Sequence, residues 1–444
     1  MQALALFMIF AVTVSGILAD NGWLPSAARF LPEIVSALVV VVVVALGVRD
    51  RFRYVRVEYW AIFVALLLSM VAGVVANTVD PGPVFAGIRA YLRALPLFFL
   101  AAVYPFSDRE VRQQLGALLV VAIVQAPLAA YQKMHELSFG NTSGDAVYGT
   151  FGNAGVLSVF LLAAACVVTG FFVRRLIGVW AWVVLMVVTL APTAINETKA
   201  IVFMLPAGLL VTFWVGAPPS QRLRSLASSL AVLAALGAII VPTFDYFQAQ
   251  RPVSEGGGFT LYEFFTDQRQ LDRYVNARAD ELGGAPGRGL AYRLAIESTL
   301  EDPVAAVFGR GIGNASKSSL GNGFDGEYVS RFRLIIQSSG ILFLIELGLL
   351  GVALLLMLHV LVFADASAIA RSGAGMWGAL GVGWAGVTVV VVLACSYTDP
   401  VVSPGISYLY WYISGLLAAH RMRAALQVPQ RPAMLRAASP SRET

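Results

Sequence analysis

The sequence predicts an all-α polytopic membrane protein, with about twelve transmembrane helices and one large, partly helical loop. Three observations predict it. First, the 444 residues are 58% hydrophobic and only 13% charged, with a mean hydropathy of +0.76, whereas soluble domains carry roughly 25% charged residues. A soluble chain this poor in charge would expose apolar patches large enough to aggregate. Second, the apolar residues fall in continuous blocks near the length that crosses a bilayer, about 20 residues. Third, nearly half of the acidic residues lie between Asp245 and Glu327, so the rest of the chain is apolar blocks with short polar hinges.

The blocks fall near residues 2–18, 31–48, 58–77, 86–104, 114–132, 153–173, 176–192, 199–215, 225–242, 334–363, 374–395 and 404–420. They are continuous rather than alternating, which excludes the wall of a β-barrel. Even the β-branched run Val39 to Val44 is expected to be helical, because in lipid only intrahelical hydrogen bonds satisfy the backbone. The opening MQALALFMIFAVTVSGILAD lacks the basic start of a signal peptide and reads as an uncleaved first span.

Arginine sets the orientation. Arg49, Arg51, Arg53 and Arg56 follow the second block, Arg109 and Arg112 the fourth, Arg174 and Arg175 the sixth, and Arg222 and Arg224 the eighth. Arg371 follows the tenth, and Arg421, Arg423, Arg431, Arg436 and Arg442 follow the twelfth. Every even-numbered exit is basic, so the positive-inside rule places both termini in the cytoplasm and the long loop outside. The expected organisation is nine helices in residues 1–243, an extracytoplasmic loop over 244–333, three helices over 334–420 and a disordered cytoplasmic tail over 421–444.

This distribution makes the basic balance a matter of topology. No basic stripe interleaved with exposed aromatics speaks for nucleic acid. Cys166 and Cys395 lie in apolar blocks, and neither they nor any clustered His and Asp form a metal-ligand pattern. No internal repeat is visible, which weakens a transporter built from symmetric halves.

Candidate chemistry concentrates in the loop. An aromatic stretch carries Tyr262, Phe264, Phe265 and Tyr274, which either shelters a ligand or packs against the bilayer. The segment LAYRLAIESTLED reads as a short helix between Gly289 and Pro303, with Arg293 and Glu297 one turn apart. That spacing fits a surface ion pair as well as a site. FGRGIGN, Phe308 to Asn314, leaves backbone N–H groups unshielded beside Arg310 and suits either an anionic phosphate or an ordinary glycine turn. It is not a Walker loop.

Arg89 and Arg93 share a face at the outer end of the fourth block, where charge either lines a polar cavity or snorkels to the interface. Lys199, one of three lysines, opens the eighth block on the same side. A cluster of Arg89, Arg93, Lys199, Arg288 and Arg310 would suit a diphosphate at the outer leaflet.

Four segments resemble a known family. GTFGNAGVLSVFLL (Gly149 to Leu162), NETKA with Lys199, GRGLAYRLAIESTLEDPVAAVFGRGIGN with Arg288, Tyr292, Pro303, Gly309 and Gly311, and IELGLLGVALLL with Glu346, Gly348 and Gly351 occur in order. Together they resemble the O-antigen ligase and polymerase family of bacterial membrane glycosyltransferases. The ligase branch carries a His-Asn about nine residues before the glutamate. Gln337-Ser338 stand there, and glutamine cannot accept a proton at neutral pH, which favours the polymerase branch or a divergent member of the family.

The resemblance implies a fold like that of the type C membrane glycosyltransferases, in the bacterial plasma membrane. It also implies transfer of glycan from a polyprenyl-diphosphate carrier to a glycan acceptor, alongside other polysaccharide export or assembly proteins. Arg288 and Arg310 would meet the diphosphate, assisted by Arg89, Arg93, Lys199 and Arg293, and a loop carboxylate such as Glu263, Asp280, Glu281, Asp325 or Glu327 would be the base. No cofactor or metal is expected, since the activated sugar brings its own leaving group. Transfer to a lipid or protein acceptor, a twelve-span transporter or flippase of lipid-linked glycan, and a non-catalytic scaffold are the alternative readings.

Overall fold

The structure, a computed structural model, describes residues 1–50, 52–141, 143–250, 259–278 and 285–427. The described residues are helical, without a strand among them. In order these are α1 (Gln2–Thr13), α2 (Ser15–Asp20), α3 (Leu31–Asp50), α4 (Val57–Ala76), α5 (Pro81–Leu92), α6 (Leu95–Val103) and α7 (Asp108–Ser138). Then follow α8 (Ala154–Val173), α9 (Val179–Ile195), α10 (Ile201–Gly216), α11 (Arg222–Ala249), α12 (Leu261–Thr266) and α13 (Gln268–Asn276). The last are α14 (Arg288–Leu300), α15 (Pro303–Phe308), α16 (Val329–Phe332), α17 (Ser339–Ser372), α18 (Gly375–Ala394) and α19 (Pro404–Gln427).

Each apolar block meets a helix, but the helices are of unequal reach. Among the described residues, seven are long and apolar enough to cross a membrane, and an eighth crossing is available if α5 and α6 count as one span bent by 46°. The bend falls at Arg93–Ala94, just before Pro96, whose ring removes a helical donor and disfavours helix at the residue before it. α1, α9 and α10 are apolar but shorter. The loop helix expected after Gly289 begins at Arg288, and Pro303 opens a further helix, as proline commonly does in a first turn. At the far end α19 runs on to Gln427, past the point where the tail was expected to begin.

The interior is built by α8, α10, α17 and α18, with α18 the most enclosed helix and α11 the most peripheral. Small residues let these helices approach closely, as in membrane bundles generally. A Cβ on Gly383 would lie 2.6 Å from the Val167 backbone, and one on Gly386 2.6 Å from the carbonyl of Gly208. Outward faces remain apolar, with Val41, Leu68, Val75 and Trp180 all exposed. That is the surface a lipid-facing bundle presents.

Polar contacts gather at two ends. At one end Asp365 of α17 accepts from Arg56 (2.6 Å), Tyr59 (2.9 Å) and Arg421, while Trp377 donates to Asp108 (2.8 Å). At the other end the start of α17 meets the turn between α18 and α19, where the Ser339 N–H donates to Thr398 O (3.0 Å) and the Gly340 N–H to Cys395 O (2.7 Å). Ser339 and Asp365 lie 26 residues apart toward the two ends of α17, on either side of its break at Gly348. Their two clusters therefore sit on opposite faces of the bundle.

Candidate functional site

The loop end of the bundle holds the candidate site. Its centre is the turn at residues 395–403, which two arginines grip from different elements. Arg288, first residue of α14, donates through Nη1 to Tyr397 O at 2.5 Å, and its guanidinium carbon lies 4.2 Å from the Tyr397 ring centre. Arg93, at the break between α5 and α6, donates through Nη2 to Val402 O at 2.5 Å. Between these anchors stands Asp399. Ser339 Oγ approaches its Oδ1 at 3.4 Å, at the N-terminus of α17, where the helix dipole favours negative charge.

The electrostatics of Asp399 are divided. Burial pushes its carboxyl above the ordinary aspartate range, while Ser339 and the positive charge of Arg288 pull it back down. Tyr274 and Tyr397 are both pushed up, chiefly by burial, so their phenols stay neutral and act as donors and aromatic walls. The arrangement sets a half-buried carboxylate next to a guanidinium, flanked by aromatic rings.

Lys199 reaches this site through Tyr274. Its ammonium lies 4.9 Å from the Phe264 ring, 5.5 Å from Phe259 and 5.9 Å from Tyr274, and Arg288 is 5.9 Å from that same Tyr274 ring. The aromatic stretch thus covers the site and is held by two cations, each within reach of its rings.

Arg89 and Arg93 share one carboxylate, both donating to Glu33 Oε1 at 2.8 Å, and Arg89 also donates to Ser319 Oγ at 2.8 Å. These groups line a cavity of about 420 Å³ beside Phe30 and Phe85. The two side chains do not snorkel freely. They are fixed by Glu33, which sits in the first turn of α3.

Other expected residues lie elsewhere. The guanidinium of Arg310 is buried, donating to Ser298 O at 2.8 Å under the Tyr328 ring. The glycine turn beside it does hold an anion, but that anion is the protein's own. Backbone N–H groups of Gly313 (3.0 Å), Ala315 (3.0 Å) and Ser316 (2.8 Å) converge on the carboxylate of Glu346, with the Tyr91 hydroxyl at 2.8 Å. The phosphate expected in that cradle gives way to an internal carboxylate.

Arg293 and Glu297 are both exposed on α14, and no ion pair joins them among the described residues. The carboxylate of Glu263 closes the capping box of α12, accepting from the Thr260 N–H at 2.7 Å. Glu327 is exposed beyond the turn, and its backbone N–H donates to Asn314 at 3.0 Å. Asp280 and Glu281 lie outside the described residues.

Sequence reasoning missed Asp399, Tyr397 and Glu33. The available signal was modest: Asp399 is the one acidic residue between the last two blocks, and Glu33 is the one charge inside the second block. Among the described residues no group of three or more His, Cys, Asp or Glu side chains could hold a metal ion. Comparison of the sequence with models of known protein families gives no match, and comparison with curated proteins gives none.

Proposed function

We propose that this membrane-embedded protein polymerises polyprenyl-diphosphate-linked glycan repeat units at the outer face of a bacterial plasma membrane. In this reading the seven long helices, the bent pair, the three shorter apolar helices and α19 together make twelve crossings. Both termini are then cytoplasmic, and the residue 244–333 loop is outside. The observation that carries the reading is that Arg288 grips the turn that carries the half-buried Asp399, donating to Tyr397 O two residues before it at the loop end.

The chemistry follows from those two residues. An acceptor hydroxyl attacks the anomeric carbon of the donor, the bond from that carbon to the phosphate oxygen breaks, and the lipid diphosphate departs. Asp399 accepts the hydroxyl proton. A base whose pKa is lifted toward working pH is better matched to that task than an ordinary aspartate. The diphosphate leaves with its full negative charge, and a guanidinium fork in a water-poor site stabilises it as the charge develops. Arg288 is that fork, with Lys199 and Arg93 adding positive field from either side. Neutral tyrosine faces at positions 274 and 397 suit sugar rings. Gln337 in place of a histidine favours polymerisation over transfer to a lipid or protein.

The test is mass spectrometry of lipid-linked glycans from cells lacking the protein, complemented with wild type, Arg288→Ala or Asp399→Asn. Single repeat units are expected to accumulate on the outer leaflet, cleared by wild type and by neither variant. Accumulation of long lipid-linked chains would mean a ligase instead. Unchanged outer-leaflet glycans, or glycans trapped on the inner leaflet, would overturn the transferase reading and favour a flippase.

A further inference from the structure

A groove of about 590 Å³ runs between α7, α8, α18 and α19, from Arg112 and Gly375 at one end to Val391 and Ile406, near the 395–403 turn in sequence, at the other. Its walls are apolar, including Leu119, Phe160, Val167, Val387 and Leu409. The wall on α18 extends from Met376 to Val391, about 22 Å at 1.5 Å per residue. That is over half of the roughly 30 Å hydrocarbon core. Beyond Arg112 at its mouth the groove offers water few polar partners, so within a bilayer its natural filling is hydrocarbon.

The groove is closed by charge at one end only. Arg112 lines its mouth beside Gly375 and Met376, at the face of the bundle where Trp377 holds Asp108. Arg109 and Arg175 are exposed close by in sequence, and Leu176 and Ile177 line the wall directly after Arg175. The acidic groups nearby are Asp108, bound to Trp377, and Glu110, engaged with Ser107 at 2.8 Å. The mouth is therefore net positive, with both carboxylates already committed.

We propose that this groove is a binding site for an anionic phospholipid. One acyl chain lies between α7 and the α18–α19 pair, and the phosphate-bearing headgroup rests on Arg112 at the basic face of the bundle. The site takes its lipid from the leaflet opposite the Arg288 site, so it stands whether or not the proposed transferase activity does.

Gly116 makes the groove testable without damaging the fold. It lines the cavity, and a Cβ placed there meets nothing within 4 Å. Gly116→Leu therefore fills the groove from open space. The experiment is native mass spectrometry of the full chain in detergent, titrated with phosphatidylglycerol, phosphatidylethanolamine or polyprenyl phosphate.

Wild type is expected to retain phosphatidylglycerol about fivefold better than phosphatidylethanolamine, the size of one basic residue's attraction to anionic lipid. Arg112→Gln should abolish that preference while leaving retention of both lipids, and Gly116→Leu should lower retention of both. Equal retention of the two headgroups by wild type would overturn the proposal. So would indifference of either variant, or a preference for polyprenyl phosphate over phosphatidylglycerol.

Discussion

At the scale of single residues, the same chemical group serves three ends depending on its surroundings. Glu346 is a carboxylate turned into a structural ligand, with three backbone N–H groups and one phenol satisfying it inside the bundle. Glu33 is a shared counter-ion that holds two arginines at the rim of a cavity. Asp399 is the carboxylate left half-buried at the turn, with only Ser339 at 3.4 Å and the field of Arg288 to favour its ionised form. Because burial raises its pKa, its base form is populated only as pH rises past the usual aspartate value of about 3.9. If the proposed transferase reading holds, kcat/KM for the reconstituted protein should climb with pH through an apparent pKa above that value. In Asp399→Asn that limb should vanish and the rate should fall by about 10² or more, the scale of a lost general base. An unaltered limb in Asp399→Asn would assign the titration to another group.

At the scale of elements, the break in α17 ties the glycine turn to the membrane helix. Gly348 has φ +66° and ψ −172° within an otherwise continuous helix, a conformation open essentially to glycine alone. A Cβ there would lie 2.4 Å from the Gly309 nitrogen and 2.6 Å from Val307 O. The break also frees the carbonyls just before it: Arg310 N–H donates to Ile345 O at 2.8 Å and Gly311 N–H to Glu346 O at 3.2 Å. Gly348→Ala should consequently destabilise the protein by about 3 kcal/mol or more. Gly237→Ala, with open space around its Cβ, should be neutral. Thermal unfolding of both in detergent separates backbone strain from a general intolerance of alanine.

This element also marks how far the sequence could be read. The apolar blocks and their order were legible, because hydrocarbon solvent imposes length and composition on every span. Arg288 and Lys199 were singled out together with Arg89, Arg93 and Arg310, but the structure holds Arg89 on Glu33 and Arg310 on Ser298 O, and the aromatic stretch that links Arg288 to Lys199 was read apart from them. The partner of the FGRGIGN turn was not, because Glu346 lies 32 residues beyond Asn314 and only the fold brings them together. Asp399 was hidden for a similar reason. A lone Asp-Pro in a short turn gains meaning only when the fold brings Arg288 onto Tyr397 and Ser339 onto Asp399.

At the scale of the whole molecule, the bundle is a two-ended object. One end carries Asp365 with Arg56, Tyr59 and Arg421, and the other carries the 395–403 turn with Arg288 and Arg93. The long helix α17, broken at Gly348, joins the two. By the positive-inside rule, the arginine clusters at the Asp365 end give the expectation that this end faces the cytoplasm. Exposed residues suited to labelling stand at each end, Glu327 in the loop and Arg109 in the first turn of α7. In a background carrying Cys166→Ala and Cys395→Ser, the Glu327→Cys variant should react with a membrane-impermeant maleimide on intact spheroplasts. The Arg109→Cys variant should react only after permeabilisation. Labelling of both from one side would mean an odd number of crossings is missing between them. The proposed outward face of the Arg288 site would then fall with the topology, while equal and opposite accessibility would set Asp399 and its turn where lipid-linked glycan on the outer leaflet can reach them.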